Sequence, residues 1–513
     1  MSPVARTLFG CSVAALFGCA AGISERSETP AGRRPLQYEL TINGSLTTLE
    51  ESICWESNGP QALRTSGSDG MRLLLSSSST SGNPIRTSGG ILDLSALNEA
   101  DCVTLSIDLH AVAERRVIRP SPDEIGSSVW LPTDPWMWFD NDDETRPDGI
   151  VRWSLPPGIE VATPWESSDA RTNIVRSEDF DWKTIVAIGA VEKRIIKASG
   201  TRVRLTALDP IHLPEHDVID AWLGLAIDAV ASLYGGAFPR EEFQVLLIPT
   251  KRPSSEPVVF GLVTRGGEIP TISLFLSSDV TLESLRGEWV AIHELLHLGM
   301  PYVASSDTWI SEGFVTYMTE VLRARFGYFE FERDFPPSVD LDFSNVDVGE
   351  AQTLMALTTL RLGVERGKKE ASRLNLSLRE ASARLGEINA FMLVYWGGAS
   401  IAMRLDQRLR GINNALSLDL IFRRWSKLLS TPKKVWTAAE LLSDPIVVKQ
   451  LPPSAVRELE IARDATSVTP VFFLEDGLWD RGLRYNEDRR TFSLHESHRA
   501  PSMNLDQSGR TGR

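Results

Sequence analysis

Between residues 36 and 205 the chain alternates apolar and polar positions in short runs. Residues 37–42, 102–109 and 201–206 repeat with the period of two that puts alternate side chains on opposite faces of a strand. Gly, Ser, Pro and Asn separate these runs, as turns require. The pattern predicts an antiparallel β-sandwich over residues 36–207. Serine-rich residues 76–82 read as a loop. Residues 130–139 hold three of the 14 tryptophans; they pack under the sandwich or line a groove for substrate.

Past Pro214 the period lengthens. Val218, Ala221, Trp222, Leu225, Ala226 and Val230 share one side of a helix over 215–234. Residues 244–249 form a continuous apolar run, the mark of a buried strand. Residues 261–264 and 271–276 predict a hairpin around Gly266 and Gly267. A helix starts at Thr281, whose hydroxyl can cap it, and runs on through Leu285, Trp289, Val290 and Ile292. From Asp347 to Asp464 the chain reads as mostly helical. The fold class is α+β: a sandwich (36–207), a mixed domain (208–345), a helical domain (346–470) and a C-terminal segment (471–513) with a disordered tail.

Composition adds exclusions. At 513 residues the chain is too long for one core. A formal net charge of −15 repels a phosphate backbone, and no basic stripe offsets it, so nucleic acid is not an expected partner. Residues 7–18 are apolar and small, too short for a mature membrane span but of the length of a leader core. Residues 16–19 look like a bacterial lipobox, with Cys19 as the acylated residue; a plain cleaved leader is the alternative. Residues 20–35 then serve as a tether, and the protein is expected to be an exported lipoprotein held at a membrane by Cys19. Export permits a disulfide between Cys54 and Cys102, although two buried thiols fit equally. The sequence does not specify the oligomeric state.

The chemistry concentrates at His293-Glu294-Leu295-Leu296-His297. Two histidines four apart on a helix project from one face, so both imidazoles can reach one metal ion. Glu294 can reach a water there and act as general base. Met300 and Val303 stand where a metzincin has its glycine and third histidine, which excludes that class. Glu312, on a helix that Ser306 or Asp307 can cap, offers a third ligand and leaves a fourth position to water, as catalytic zinc requires.

The segment Trp309-Ile-Ser-Glu312-Gly-Phe-Val-Thr-Tyr317 after this motif resembles the gluzincin peptidases, in particular the glycyl aminopeptidase and aminopeptidase N families. Val394-Tyr395-Trp396-Gly397-Gly398-Ala399, with Leu405-Asp406 and Arg410 after it, is similar to their helical segment. The likeness covers residues 210–430. It implies a thermolysin-like zincin domain, Zn2+ on His293, His297 and Glu312, and hydrolysis of a peptide or protein substrate. It also implies that Glu294 is the base and that Tyr395 donates to the oxyanion. Thr316 matches a residue that often stands beside a ligand histidine, or is an ordinary helix-surface threonine. The families' Gly-x-Met-Glu-Asn segment is missing; Glu268 or Glu256 could replace its amine-binding glutamate. Its loss and the short link between His297 and Glu312 leave other readings open beside an aminopeptidase-like zinc peptidase. One is a catalytically degenerate surface binding or scaffold protein, the other a zinc enzyme that hydrolyses another bond, such as an epoxide or ester.

Overall fold

The computed structural model describes residues 34–464 apart from 68–69, 82–84, 98–100, 110, 112–127, 251–255, 278–279 and single positions 336, 345, 414, 432, 434 and 450, together with 483–486 and 491–494. The expected leader with Cys19, the tether up to residue 33 and the polar tail after 495 lie outside the described residues.

Strands β1 (Leu36–Ile42), β2 (Thr48–Trp55), β3 (Leu74–Ser79), β4 (Asp101–Asp108), β5 (Gly149–Ser154), β6 (Glu166–Asp169) and β7 (Thr172–Val175) form a seven-stranded sheet in the order β6-β7-β5-β1-β2-β4-β3. Its ladders are antiparallel except β1 with β5, which run parallel, so the expected all-antiparallel sandwich needs correction there. The serine-rich run predicted as a loop contributes β3 on the sheet edge. An edge strand buries little of its surface, so small hydroxyl side chains suffice and no apolar period announces it. Cys54 and Cys102 lie directly opposite each other on β2 and β4 and form a disulfide, which settles that alternative.

A three-stranded sheet (Glu160–Ala162, Ile185–Gly189, Val129–Pro132, in that order) lies against the first. Val129, Leu131, Val186 and Ile188 join Trp136 and Trp138 in the sandwich core. Trp130, Ile185 and Ala187 face the other way, onto Leu208, Leu246, Ile248 and Phe275. Those residues belong to a third sheet: β8 (Val191–Ala198), β9 (Thr201–Leu208), β10 (Glu242–Pro249), β11 (Val258–Thr264) and β12 (Thr271–Leu276), in the order β8-β9-β10-β12-β11. The run at 201–206, read as part of the sandwich, is therefore in the neighbouring domain, pairing parallel with β10. Alternation reveals a strand but not its partner, and this partner lies across a helix in sequence.

Helix α1 (His216–Leu233) covers one face of the third sheet. The predicted hairpin of β11 and β12 is present, with β11 on the sheet edge. Thr281 caps a helix as expected, but that helix spans only Leu282–Leu285. The chain breaks at Gly287, whose φ of +112° and contact with the Tyr328 carbonyl exclude a side chain. It restarts as α2 (Trp289–Leu298). Helices α3 (Thr308–Phe326), α4 (Val348–Leu374) and α5 (Phe391–Ile412) pack on one another and, with α1 and α2, share one continuous core. The C-terminal half is helical as its period predicted, and the whole is a mixed α+β molecule. Among the described residues, no helix is long and apolar enough to cross a membrane.

Candidate metal centre

Helix α2 is anchored at both ends. At its start the Glu288 carboxylate accepts from the Val290 and Ala291 amides at 2.5 and 2.9 Å. That satisfies amides the helix itself cannot pair. At its end Arg265 donates to the His297 and Met300 carbonyls at 2.5 and 2.7 Å, and Arg240 to the Leu298 carbonyl at 3.1 Å. Two guanidinium groups thus meet the negative end of the helix dipole. Burial lowers the Arg265 pKa to about 10, which keeps it cationic at neutral pH.

Helix α3 crosses α2 and carries Glu312. Asp307 stands at its start but makes no side-chain cap; its carboxylate accepts from the Ala438 amide at 3.0 Å instead. Ser306 lies in a 3-10 turn just before. The expected cap is thus replaced by a link to the C-terminal helices.

Three predicted ligands converge. His293 Nε2 and Glu312 Oε2 are 3.2 Å apart, the two Nε2 atoms 3.2 Å, and His297 Nε2 and Glu312 Oε2 3.3 Å. A tetrahedral ion with ligand bonds of about 2.0 Å needs donor atoms about 3.3 Å apart. The triangle therefore has the edge of such a site before any ion enters it. The donor types fit zinc: two imidazole nitrogens and one carboxylate. Burial lowers the His293 pKa, whereas at His297 burial is outweighed by the Glu312 carboxylate, which raises it. Burial alone would raise the Glu312 carboxyl, but His297 and the hydrogen bonds from both imidazoles hold it well below the usual carboxylate range. Among the described residues, His293, His297 and Glu312 are the one group of three or more such side chains placed to hold a metal.

Ser311, absent from the sequence reading, places its hydroxyl 3.3 Å from His297 Nδ1. Its position just before Glu312 was the available signal. Thr316 is buried, against the helix-surface alternative, and neither its hydroxyl nor His293 Nδ1 has a hydrogen-bond partner.

Glu294 is buried beside the ligands. Burial pushes its carboxyl up to about 8, with His297 opposing and Glu312 and Glu288 adding to the rise. It packs on β11, where a Cβ on Gly261 would come within 2.5 Å of its Cγ. Gly261 is thus the residue that lets the sheet edge approach the acid. Tyr395 brings its ring parallel to that of His293, with centroids 5.8 Å apart and 2° between planes. Burial, then Glu312 and Glu294, raise its phenol well above the usual value, so it stays a proton donor.

Two glycines hold Tyr395 there. A Cβ on Gly313 would sit 2.3 Å from the Gly398 backbone, and one on Gly398 would sit 2.2 Å from the Trp309 carbonyl. Helices α3 and α5 therefore touch backbone to backbone beside Glu312. Deeper in the same crossing, Asp406 accepts from the Tyr317 hydroxyl at 2.8 Å and from Arg410 at 3.0 Å.

The two candidate amine-binding acids do not join this group. Glu268 lies exposed in the β11–β12 turn, 3.8 Å from Arg204. Glu256 is exposed ahead of β11, where its charge adds to that of Glu288.

No protein-family model matches the chain, and no curated protein matches its sequence. Solved structures do. An aminopeptidase N family protein from Idiomarina loihiensis superposes with a TM-score of 0.64 at 15% identity, covering 87% of this chain and 78% of that one. The M1 zinc metallopeptidase from Deinococcus radiodurans gives 0.43 at 15% identity over 86% and 95%, and native yeast LTA4 hydrolase 0.45 at 11% over 88% and 70%. The last two superpose too loosely to add weight. The chain is therefore similar in fold to the aminopeptidase N family structure.

Proposed function

We propose that this chain is a zinc-dependent peptidase of the aminopeptidase-like kind, with a thermolysin-like arrangement of α2 and α3. The observation that carries the reading is the convergence of His293, His297 and Glu312, with Glu294 and Tyr395 beside them. His293, His297 and Glu312 would hold the ion. Zinc, when bound, polarises a carbonyl and lowers the pKa of a water. Glu294 would take a proton from the attacking water and pass it to the leaving amine. Tyr395 donates its phenolic hydrogen to the oxygen that becomes negative. The free edge of β11, next to Glu294, can accept an extended peptide as an added strand.

The complete residue set favours this reading over a scaffold that has lost catalysis. The likeness to the aminopeptidase N fold supports the peptidase class. The test is digestion of a defined peptide mixture with and without chelator, read by product masses. Chelator-sensitive cleavage is expected; a zinc-loaded protein that cuts nothing contradicts the reading. We further propose that Cys19 is acylated and tethers the protein outside the cytoplasm. The Cys54–Cys102 disulfide supports an oxidising compartment. Cys19→Ser should move the protein from the membrane fraction to the soluble one; unchanged fractionation contradicts the tether.

A further inference from the structure

Both catalytic helices repeat one device. Four residues before the first ligand, Trp289 sets its ring edge-on to His293, centroids 5.6 Å apart. Four residues before the oxyanion donor, Phe391 does the same to Tyr395 at 6.4 Å. Since His293 and Tyr395 are themselves stacked at 5.8 Å, the four rings make one continuous row through the site. In the middle of the row His293 is buried and Tyr395 half-buried, while the ends are exposed: Trp289 is 38% exposed, Phe391 37% and the adjacent Met392 37%. Large apolar side chains left in water cost free energy in proportion to area, and concentrated at a reaction centre they mark a binding surface.

We propose that the two exposed ends of the row, Trp289 on one side and Phe391 with Met392 on the other, form apolar subsites that select peptides with an aromatic or large aliphatic residue next to the scissile bond. This deepens the peptidase reading and rests on it. The occupant follows from continuity. The exposed rings touch the residues that hold the ion and the oxyanion, so whatever covers them is the side chain of the residue being cut or of its neighbour. A charged side chain would lose part of its hydration against these rings. An aromatic one gains edge-on ring contacts as well as burial.

The test uses the zinc-loaded Glu294→Gln protein, which should bind substrate without consuming it. Two short peptides that differ only in phenylalanine or alanine at the candidate position are compared by calorimetry. The phenylalanine peptide should bind about 10-fold more tightly or better. Adding Trp289→Ala or Phe391→Ala should remove most of that ratio while zinc content stays constant. Equal affinity for the two peptides, no binding of either, or a ratio that survives both substitutions overturns the proposal. Selective binding to the Glu294→Gln protein, with no cleavage by the wild type, would retain the subsite and sink the peptidase reading instead.

Discussion

Each residue of the centre has a role that can be removed singly. Glu294→Gln keeps shape and hydrogen bonding but cannot carry the proton, so zinc content should persist while kcat collapses. Turnover within a few-fold of wild type would remove Glu294 from the role of base. Tyr395→Phe keeps the ring stacked on His293 and deletes only the donor. Loss of one oxyanion donor should lower kcat about 100-fold with little change in KM; a change confined to KM would assign Tyr395 to binding instead. Glu294 was legible because chemistry fixes its spacing: two imidazoles one turn apart need no knowledge of the fold. Tyr395 was legible only through the resemblance of its segment to the gluzincin peptidases. Ser311, Arg265 and Trp289 were not, since a serine before a glutamate, an arginine after a strand and an aromatic on a helix each have many other uses. Only the crossing of α2, α3 and β11 makes them part of the site.

At the scale of elements, Gly313 and Gly398 are where the helices touch, and the motifs that carry them encode a distance between backbones. A matched pair tests this. Gly398→Ala forces α5 away from the Trp309 carbonyl, whereas Gly411→Ala, on the same helix, meets nothing within 4 Å. The first should lower both kcat and Tm. The second should stabilise by about 1 kcal/mol through helix propensity alone. Equal effects would mean that the crossing does not set the geometry. Helix periods were readable throughout the second half, and the hairpin of β11 and β12 was readable from its glycines. The break at Gly287 was not: the apolar stripe continues on both sides of it, and only the Tyr328 carbonyl pressing on that residue shows why the helix must restart.

Across the whole molecule, the sandwich is docked rather than appended. The Trp130 indole donates to Ser273 at 2.9 Å and its ring meets Phe275 edge-on, joining the middle sheet to the back of the β8–β12 sheet. Sequence patterning could not show this. Val129–Pro132 is buried on both faces, and a continuous apolar run does not say which domain lies on which side. The sandwich also stores a titration. Glu51 is fully buried, and its desolvation raises its pKa well above the usual value, the Trp138 amide only partly opposing. The folded state therefore binds a proton that the unfolded chain releases above about pH 4.5. Stability should fall as pH rises above that point, by up to about 1.4 kcal/mol per pH unit. Glu51→Gln, neutral throughout, should flatten that decline in denaturant unfolding between pH 5 and 7. Parallel curves for the two proteins would mean that Glu51 ionises in place.

All of this depends on three side chains meeting at one ion. The direct measurement is zinc content of the purified full chain by mass spectrometry, for wild type, His297→Ala and Glu312→Ala side by side. One equivalent in the wild type and a marked loss in both variants is the expected result. Full occupancy in either variant, or none in the wild type after zinc has been supplied, would contradict the shared centre and the hydrolase built on it.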